Sequence, residues 1–128
     1  MISTPIICPC NSQKQYANCC GIYHQGLAAP SADLLMPSRY SAYVLEINTY
    51  LLKTWHPSTR PKQISFDKNL KWLGLDIKNA KIIDQKNATV EFIVHYTVSG
   101  KTHQRHEISS FVFEDDGCWY YVDGIFPK

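Results

Sequence analysis

Thr89-Val90-Glu91-Phe92-Ile93-Val94-His95-Tyr96-Thr97-Val98-Ser99 carries the clearest periodicity in the chain. Val90, Phe92, Val94, Tyr96 and Val98 occupy alternate positions, so in an extended backbone they share one face, while Glu91 and His95 take the other. An apolar face backed by a mixed one is the pattern of an antiparallel strand packed on a single side. The period stays near two on both flanks, where Leu75 to Asp84, Arg105 to Glu114 and Cys118 to Ile125 read as three further strands. Gln85-Lys86-Asn87 and Ser99-Gly100-Lys101 suit hairpins, and Asp116-Gly117 is a strong turn signal.

Upstream the period lengthens. Ser31 is placed to cap a short turn over Ala32 to Met36, with Asp33 near its positive end. Pro37 breaks that turn and can open the next helix. From Ser38 to Trp55, the residues Tyr40, Tyr43, Val44, Ile47, Leu51 and Trp55 fall near one stripe, with a division at Asn48-Thr49. His56-Pro57 and Pro61 end the helical region. Ile64 to Leu73 is compatible with one more short helix through Phe66, Leu70, Trp72 and Leu73. Helices followed by a meander define an α+β domain, with helices packed on one face of a curved antiparallel sheet.

With 128 residues, 45% of them hydrophobic and 12% aromatic, the chain has the length and apolar mass for one cored domain plus a small appendage. A net charge of +2 with scattered basic residues supplies no dense basic stripe for sequence-specific nucleic-acid binding. Met1 to Ile7 lacks both a basic start and a continuous apolar run, so it does not read as a secretion signal, and no window is apolar enough to span a bilayer. The expectation is a cytoplasmic protein, where thiols stay reduced.

Four of the five cysteines lie in Cys8-Pro9-Cys10-Asn11-Ser12-Gln13-Lys14-Gln15-Tyr16-Ala17-Asn18-Cys19-Cys20. A disulfide within either close couple would be strained, whereas cross-pairing between the couples stays open. The spacing is not that of a C-x-x-C redox pair. Two couples of thiolates separated by a short loop suit the closed tetrahedral shell of a structural Zn²⁺. Residues 1–25 have too little side-chain mass for a core of their own, so a metal would supply much of their folding free energy. His24 is a candidate substitute ligand, although four thiolates already fill the shell.

The pattern C-x-C-x8-C-C, with Pro9, Ser12 and Tyr16 in place, resembles the SEC-C motif, known as the zinc-binding tail of the bacterial preprotein-translocase ATPase. Its ligands carry over to Cys8, Cys10, Cys19 and Cys20. The motif generally has glycines on both sides of the serine; here Asn11 and Gln13 stand there, and Asn tolerates positive φ better than Gln. The order of elements from Gly26 onward resembles the NTF2-like (cystatin-like) superfamily, whose bent sheet and helices enclose a conical cavity. Leu35 to Tyr43, Tyr50-Leu51-Leu52, Thr54-Trp55-His56-Pro57, Val90-Glu91-Phe92 and Trp119 to Gly124 together resemble the YchJ family (UPF0225) of small bacterial proteins. Those proteins join a SEC-C motif to an NTF2-like domain, which implies a split here into residues 1–25 and 26–128. Pro37 departs from the basic residue common in the family, and no second cysteine motif follows before Lys128.

The resemblance implies an architecture and leaves function open. Arg39, Trp55, His56, Trp119, Tyr121 and Asp123 are candidate pocket residues. Arg39 reads either as a snorkelling side chain or partner of a strand carboxylate, or as an anion-binding fork. His56 is placed to face a negative helix end, and Cys118 reads as a buried thiol. Of the strand groups His95, Glu107 and Asp123, His95 lies opposite the apolar face with Glu91, so no catalytic dyad is supported. The leading expectation is a non-catalytic zinc protein whose cysteine knuckle contacts a protein or ribosomal partner. The rival is a small-molecule-binding protein or enzyme using the conical pocket; in a third reading the metal only staples the N-terminus. A homodimer through the open sheet face is common among NTF2-like domains.

Overall fold

The computed structural model describes residues 7–127, so the reading of residues 1–6 lies outside the described residues. A 3-10 turn at Tyr16–Asn18 and the helix α1 (Cys20–His24) lead into α2 (Ala32–Leu45) and α3 (Asn48–Lys53). Four strands follow, β1 (Leu70–Ile82), β2 (Asn87–Val98), β3 (Lys101–Phe113) and β4 (Trp119–Ile125), in an antiparallel sheet of order β1-β2-β3-β4. No described helix is long and apolar enough to cross a membrane.

The alternation in β2 is realised as expected. Ala88, Val90, Phe92 and Val94 are buried, and Val90, Phe92 and Val94 stand beside Ser109, Glu107 and Arg105 of β3 on the same face. The β2–β3 hairpin turns on Ser99 and Gly100, both at positive φ (50° and 84°), the conformation a two-residue primed turn requires. Register shifts between Trp72 and Gly74 and between Ile77 and Asn79 place bulges in β1, the usual device for curving a sheet. Ile64 to Leu73 therefore corrects the helical expectation: Trp72 pairs with Tyr96 as a strand residue, because edge pairing to β2 satisfies more backbone than an isolated helical turn would.

α2 also differs from the expected short turn over Ala32 to Met36 followed by a separate helix after Pro37. It runs unbroken through Pro37, which costs about 3 kcal/mol in a helix interior. Burial of Leu35 and Met36 in the same turns offsets this, at about 1.5–3 kcal/mol for each fully buried side chain. Ser31 sits at the N-cap, but its side chain makes no capping bond. The division of the helical stripe falls at Glu46, which takes a left-handed conformation (φ 57°) and closes α2 before α3 begins. Trp55 consequently leaves the helix and forms a parallel bridge with Tyr121 of β4, with Tyr121 N–H donating to Thr54 O at 2.8 Å and His56 N–H to Tyr121 O at 2.7 Å.

α2 is buried on two sides. Leu35, Met36, Arg39 and Tyr40 belong to one set of buried residues and Ser38, Ser41 and Ala42 to another, and the helix contacts α1 as well as β1, β2 and β4. Cys8, Cys10 and Cys20 join the same core cluster as Leu35, Leu51, Val90 and Phe111. The cysteine segment is thus packed onto the domain.

Candidate metal centre and the Arg39 cavity

The cysteine centre is built from two ends of one short loop. Ile7 bridges Gln15, and Cys8 N–H donates to Lys14 O at 2.8 Å, folding the chain back so that Cys8 and Cys10 meet the start of α1. The Sγ atoms of Cys8, Cys10, Cys19 and Cys20 all lie within 4.8 Å of one another. Cys10 Sγ and Cys19 Sγ are 3.6 Å apart, far beyond an S–S bond, and all five cysteines are free thiols. Zn–S bonds of about 2.3 Å in a tetrahedron put sulfurs about 3.8 Å apart, so the donor set fits such an ion. The group can bind a metal.

The loop between the couples keeps the backbone that glycines would give: Asn11 has φ 70° and Gln13 φ 67°. Gln13 accepts the left-handed penalty of about 1–2 kcal/mol, and the turn it makes lets Ser12 Oγ reach Cys19 Sγ at 3.1 Å. Hydrogen bonding, chiefly from Cys20, pulls the Cys10 thiol down to about 4, and the same bond together with burial pushes Cys20 up. Thiols sharing protons in this way give them up to a divalent cation, which satisfies all four sulfurs at once.

His24 does not belong to the cysteine group. Its Nε2–H donates to Ser38 O at 2.8 Å and its Nδ1 accepts from Tyr16 O–H at 2.5 Å, so both ring nitrogens are occupied in the neutral form. Its ring meets Tyr50 edge-on at 4.6 Å, and Tyr50 O–H donates to Ser38 Oγ at 2.7 Å. Three residues along α2, Ser41 Oγ lies 3.5 Å from Cys8 Sγ. Ser38 and Ser41 therefore form the seam between the knuckle and the domain, one turn apart on one side of α2. Their spacing of three among the apolar residues of α2 is visible in the sequence.

Burial pushes the His24 pKa below the ordinary imidazole value of 6.5. The unfolded chain therefore takes up a proton that the folded joint refuses, so the contribution of His24 to stability is present above pH 6.5 and is lost as the pH falls below it. His24→Asn, compared with the parent by thermal melts from pH 7.5 to 5.5, is expected to lower stability at neutral pH and to flatten its decline on acidification. Parallel pH profiles would assign the decline to other groups.

The pocket candidates divide. Arg39 and Tyr121 line a cavity of about 300 Å³ with Tyr43, Trp72, Arg105 and Glu107. Trp55 packs against Arg39 from outside that lining, its ring 5.1 Å from the guanidinium carbon. The other three lie elsewhere. His56, three residues past the end of α3 at Lys53, donates from Nε2 to Glu114 Oε2 at 2.6 Å and accepts from Ser58 O–H at 2.7 Å. Trp119 lines smaller hollows, beside Tyr120 in one and Ala88 in the other. Asp123 is exposed opposite Ser110, on the outer side of the sheet, because a bulge at Val122 puts Gly124 rather than Asp123 on the inner face. His95 and Glu91 lie on that outer side too, bonded to Asp76 and His106. Cys118 is half-buried.

Arg39 is 3% exposed, which corrects the snorkelling reading, and no described ion pair includes it. Nη1 donates to Leu51 O at 2.9 Å and to Thr54 Oγ1 at 2.7 Å, while the guanidinium carbon lies 4.6 Å from the Tyr121 ring. Burial lowers its pKa from that of free arginine, opposed by the hydroxyls of Tyr43, Tyr121 and Tyr50. Glu107 faces the same cavity from β3, accepting from Ser109 O–H at 2.6 Å, and a Cβ on Gly124 would collide with its carboxylate. Arg105, Glu107 and Ser109 alternate on one strand face, so their convergence was present in the period-two pattern. Their meeting with Arg39 was not.

A four-thiol knuckle docked on a helix that also roofs a curved sheet defines a SEC-C motif joined to an NTF2-like domain. Family models match accordingly: the SEC-C motif over residues 7–22 and "YchJ, middle NTF2-like domain" over residues 31–124. The chain is 48% identical to a UPF0225 protein of Bordetella parapertussis over 95% of its own length and 94% of the relative's. It is 47% identical to a UPF0225 protein of Cupriavidus metallidurans, covering 94% and 89% of the two chains. The crystal structure of a SEC-C motif containing protein from Psychrobacter arcticus superposes with a TM-score of 0.74 at 28% identity, covering 94% of this chain and 82% of that one. The chain belongs to the UPF0225 (YchJ) family.

Proposed function

We propose that this protein is a zinc-binding accessory protein of the cytoplasm whose knuckle, held in shape by the metal, contacts a protein or ribosomal partner. The observation that carries the reading is the four-sulfur group of Cys8, Cys10, Cys19 and Cys20, whose mutual distances suit a tetrahedral ion. Zinc is favoured because a shell of four thiolates closed to water is its usual structural site. Such a shell leaves no open position for a substrate, which supports a structural metal. The knuckle and its exit present the exposed apolar side chains of Ile7, Ile22 and Leu27, surface suited to a docking contact. The outer face of the sheet, with its His–carboxylate pairs, is the surface this reading leaves to a second copy of the chain.

Metal analysis of protein purified without added metal is expected to find about one equivalent of zinc per chain. Co-sedimentation and pull-down from cytosol are expected to retain a partner with the parent protein and to lose it with Cys19→Ser/Cys20→Ser. Less than about half an equivalent of zinc would overturn the metal assignment, and partner binding unchanged in the double variant would overturn the role of the knuckle.

A further inference from the structure

We propose that the Arg39 cavity is a binding site for a small aromatic carboxylic acid that carries a hydrogen-bond donor opposite its carboxylate. This goes beyond the knuckle's role and rests on different residues. A guanidinium buried to 3% exposure without an ionic partner is costly, and a structure that maintains one has a use for its charge. Arg39 is moreover held in place: Trp55 and Tyr121 pack against its guanidinium, and Nη1 is bound to Leu51 O and Thr54 Oγ1. No fully buried side-chain nitrogen is left without a partner among the described residues, and only Nη1 is engaged in these bonds. The guanidinium lines the cavity, with the Tyr43 hydroxyl beside it as a hydrogen-bonding neighbour.

The cavity of about 300 Å³ falls at the lower end of ligand pockets, room for a molecule of about ten heavy atoms. Its walls choose the class. Trp72, Phe92 and Tyr121 offer ring faces and edges to an aromatic body. Glu107 faces the same space and wants a donor. That carboxylate also disfavours a doubly charged anion, so one fork matched to one carboxylate fits better than a phosphate. Arg105, packed on Tyr96 and Phe126, places a second cation along the wall and keeps the net field of the cavity positive.

The test uses the full metal-bound chain with 4-hydroxybenzoate as probe, followed by quenching of the neighbouring tryptophans and by ligand-observed NMR. Saturable binding is expected. Benzoate, which lacks the donor, is expected to bind about tenfold more weakly, and phenol, which lacks the carboxylate, not to saturate. Arg39→Met is expected to weaken 4-hydroxybenzoate at least about tenfold. Should that variant fail to fold, Glu107→Gln keeps the shape of the wall, and its preference for 4-hydroxybenzoate over benzoate is expected to fall toward one. No saturation by 4-hydroxybenzoate in the millimolar range, inorganic phosphate binding as tightly, or a preference unchanged in Glu107→Gln would each overturn the proposal. None of these results depends on the identity of the knuckle's metal.

Discussion

Replacing Cys20 by Ser is expected to release residues 8–25 from α2 while leaving the sheet folded. Cys20 is 2% exposed and lies at the meeting point of the four sulfurs and the helix core, so the substitution removes one sulfur of the group that can bind a metal and opens the packing around Cys8 and Cys10. Structural zinc contributes on the order of 10–16 kcal/mol to small zinc-finger peptides at neutral pH, more than a five-residue helix and a three-residue 3-10 turn can replace. Hydrogen exchange reads the outcome. The amides of Cys8 and Gln25, bonded to Lys14 O and Gly21 O, are expected to exchange at least about a hundredfold faster. Those of β2 and β3 are expected to change little, because the core behind them is supplied by Val90, Phe92 and Phe111. Acid should act in the same direction as the substitution, since protonated thiols leave the metal. Equal protection of the knuckle in parent and variant would sink the idea that a metal holds it.

Phe111→Ala attacks the other half of the molecule, with a loss of about 3–5 kcal/mol expected. Phe111 is 1% exposed on β3, opposite Ala88 on one side and Tyr121 on the other, with its ring 5.8 Å from that of Tyr121. Cutting it to a methyl group leaves a void between the sheet and α2 that the small neighbours Ala88 and Ser109 cannot fill. Against a total stability of about 5–15 kcal/mol, the melting temperature should fall by roughly 10–20 °C. Because Tyr121 also packs on Arg39, the same void should loosen the cavity wall. A fall of less than about 3 °C would mean that the site collapses or that Phe111 does not anchor the core.

The two halves were legible to different degrees. The clustering of the four cysteines was readable because four thiols in one short segment have few physical uses, and spacing restricts them further. The strands were readable because a one-sided sheet imposes a period of two that β2 keeps for its full length. The helical region was read less well. Pro37 obeys a local rule that burial of Leu35 and Met36 overrides, and the stripe ending at Trp55 ignored the left-handed turn at Glu46 that redirects the chain toward β4.

The pocket shows the same limit at the scale of side chains. Arg39 was visible as a charge beside an aromatic stripe, yet the choice between solvent, an ion pair and a cavity depends on where Thr54, Trp55 and Tyr121 arrive. That is settled by a parallel bridge between segments distant in sequence. His56 was grouped with Arg39 because it closes the helical region near an expected cavity mouth, and Asp123 because the end of the last strand could bring it to either; His56 bonds to Glu114, and a bulge in β4 sets Asp123 opposite Ser110.

The four-cysteine group, the meander and the family could be read from the chain alone, because each rests on local spacing or on a period that a single segment can display. Only tertiary packing seats the knuckle against Ser38 and Ser41 and brings Arg39 and Glu107 to the lining of one cavity. Those are meetings between segments, and no local pattern encodes the packing energy that selects them.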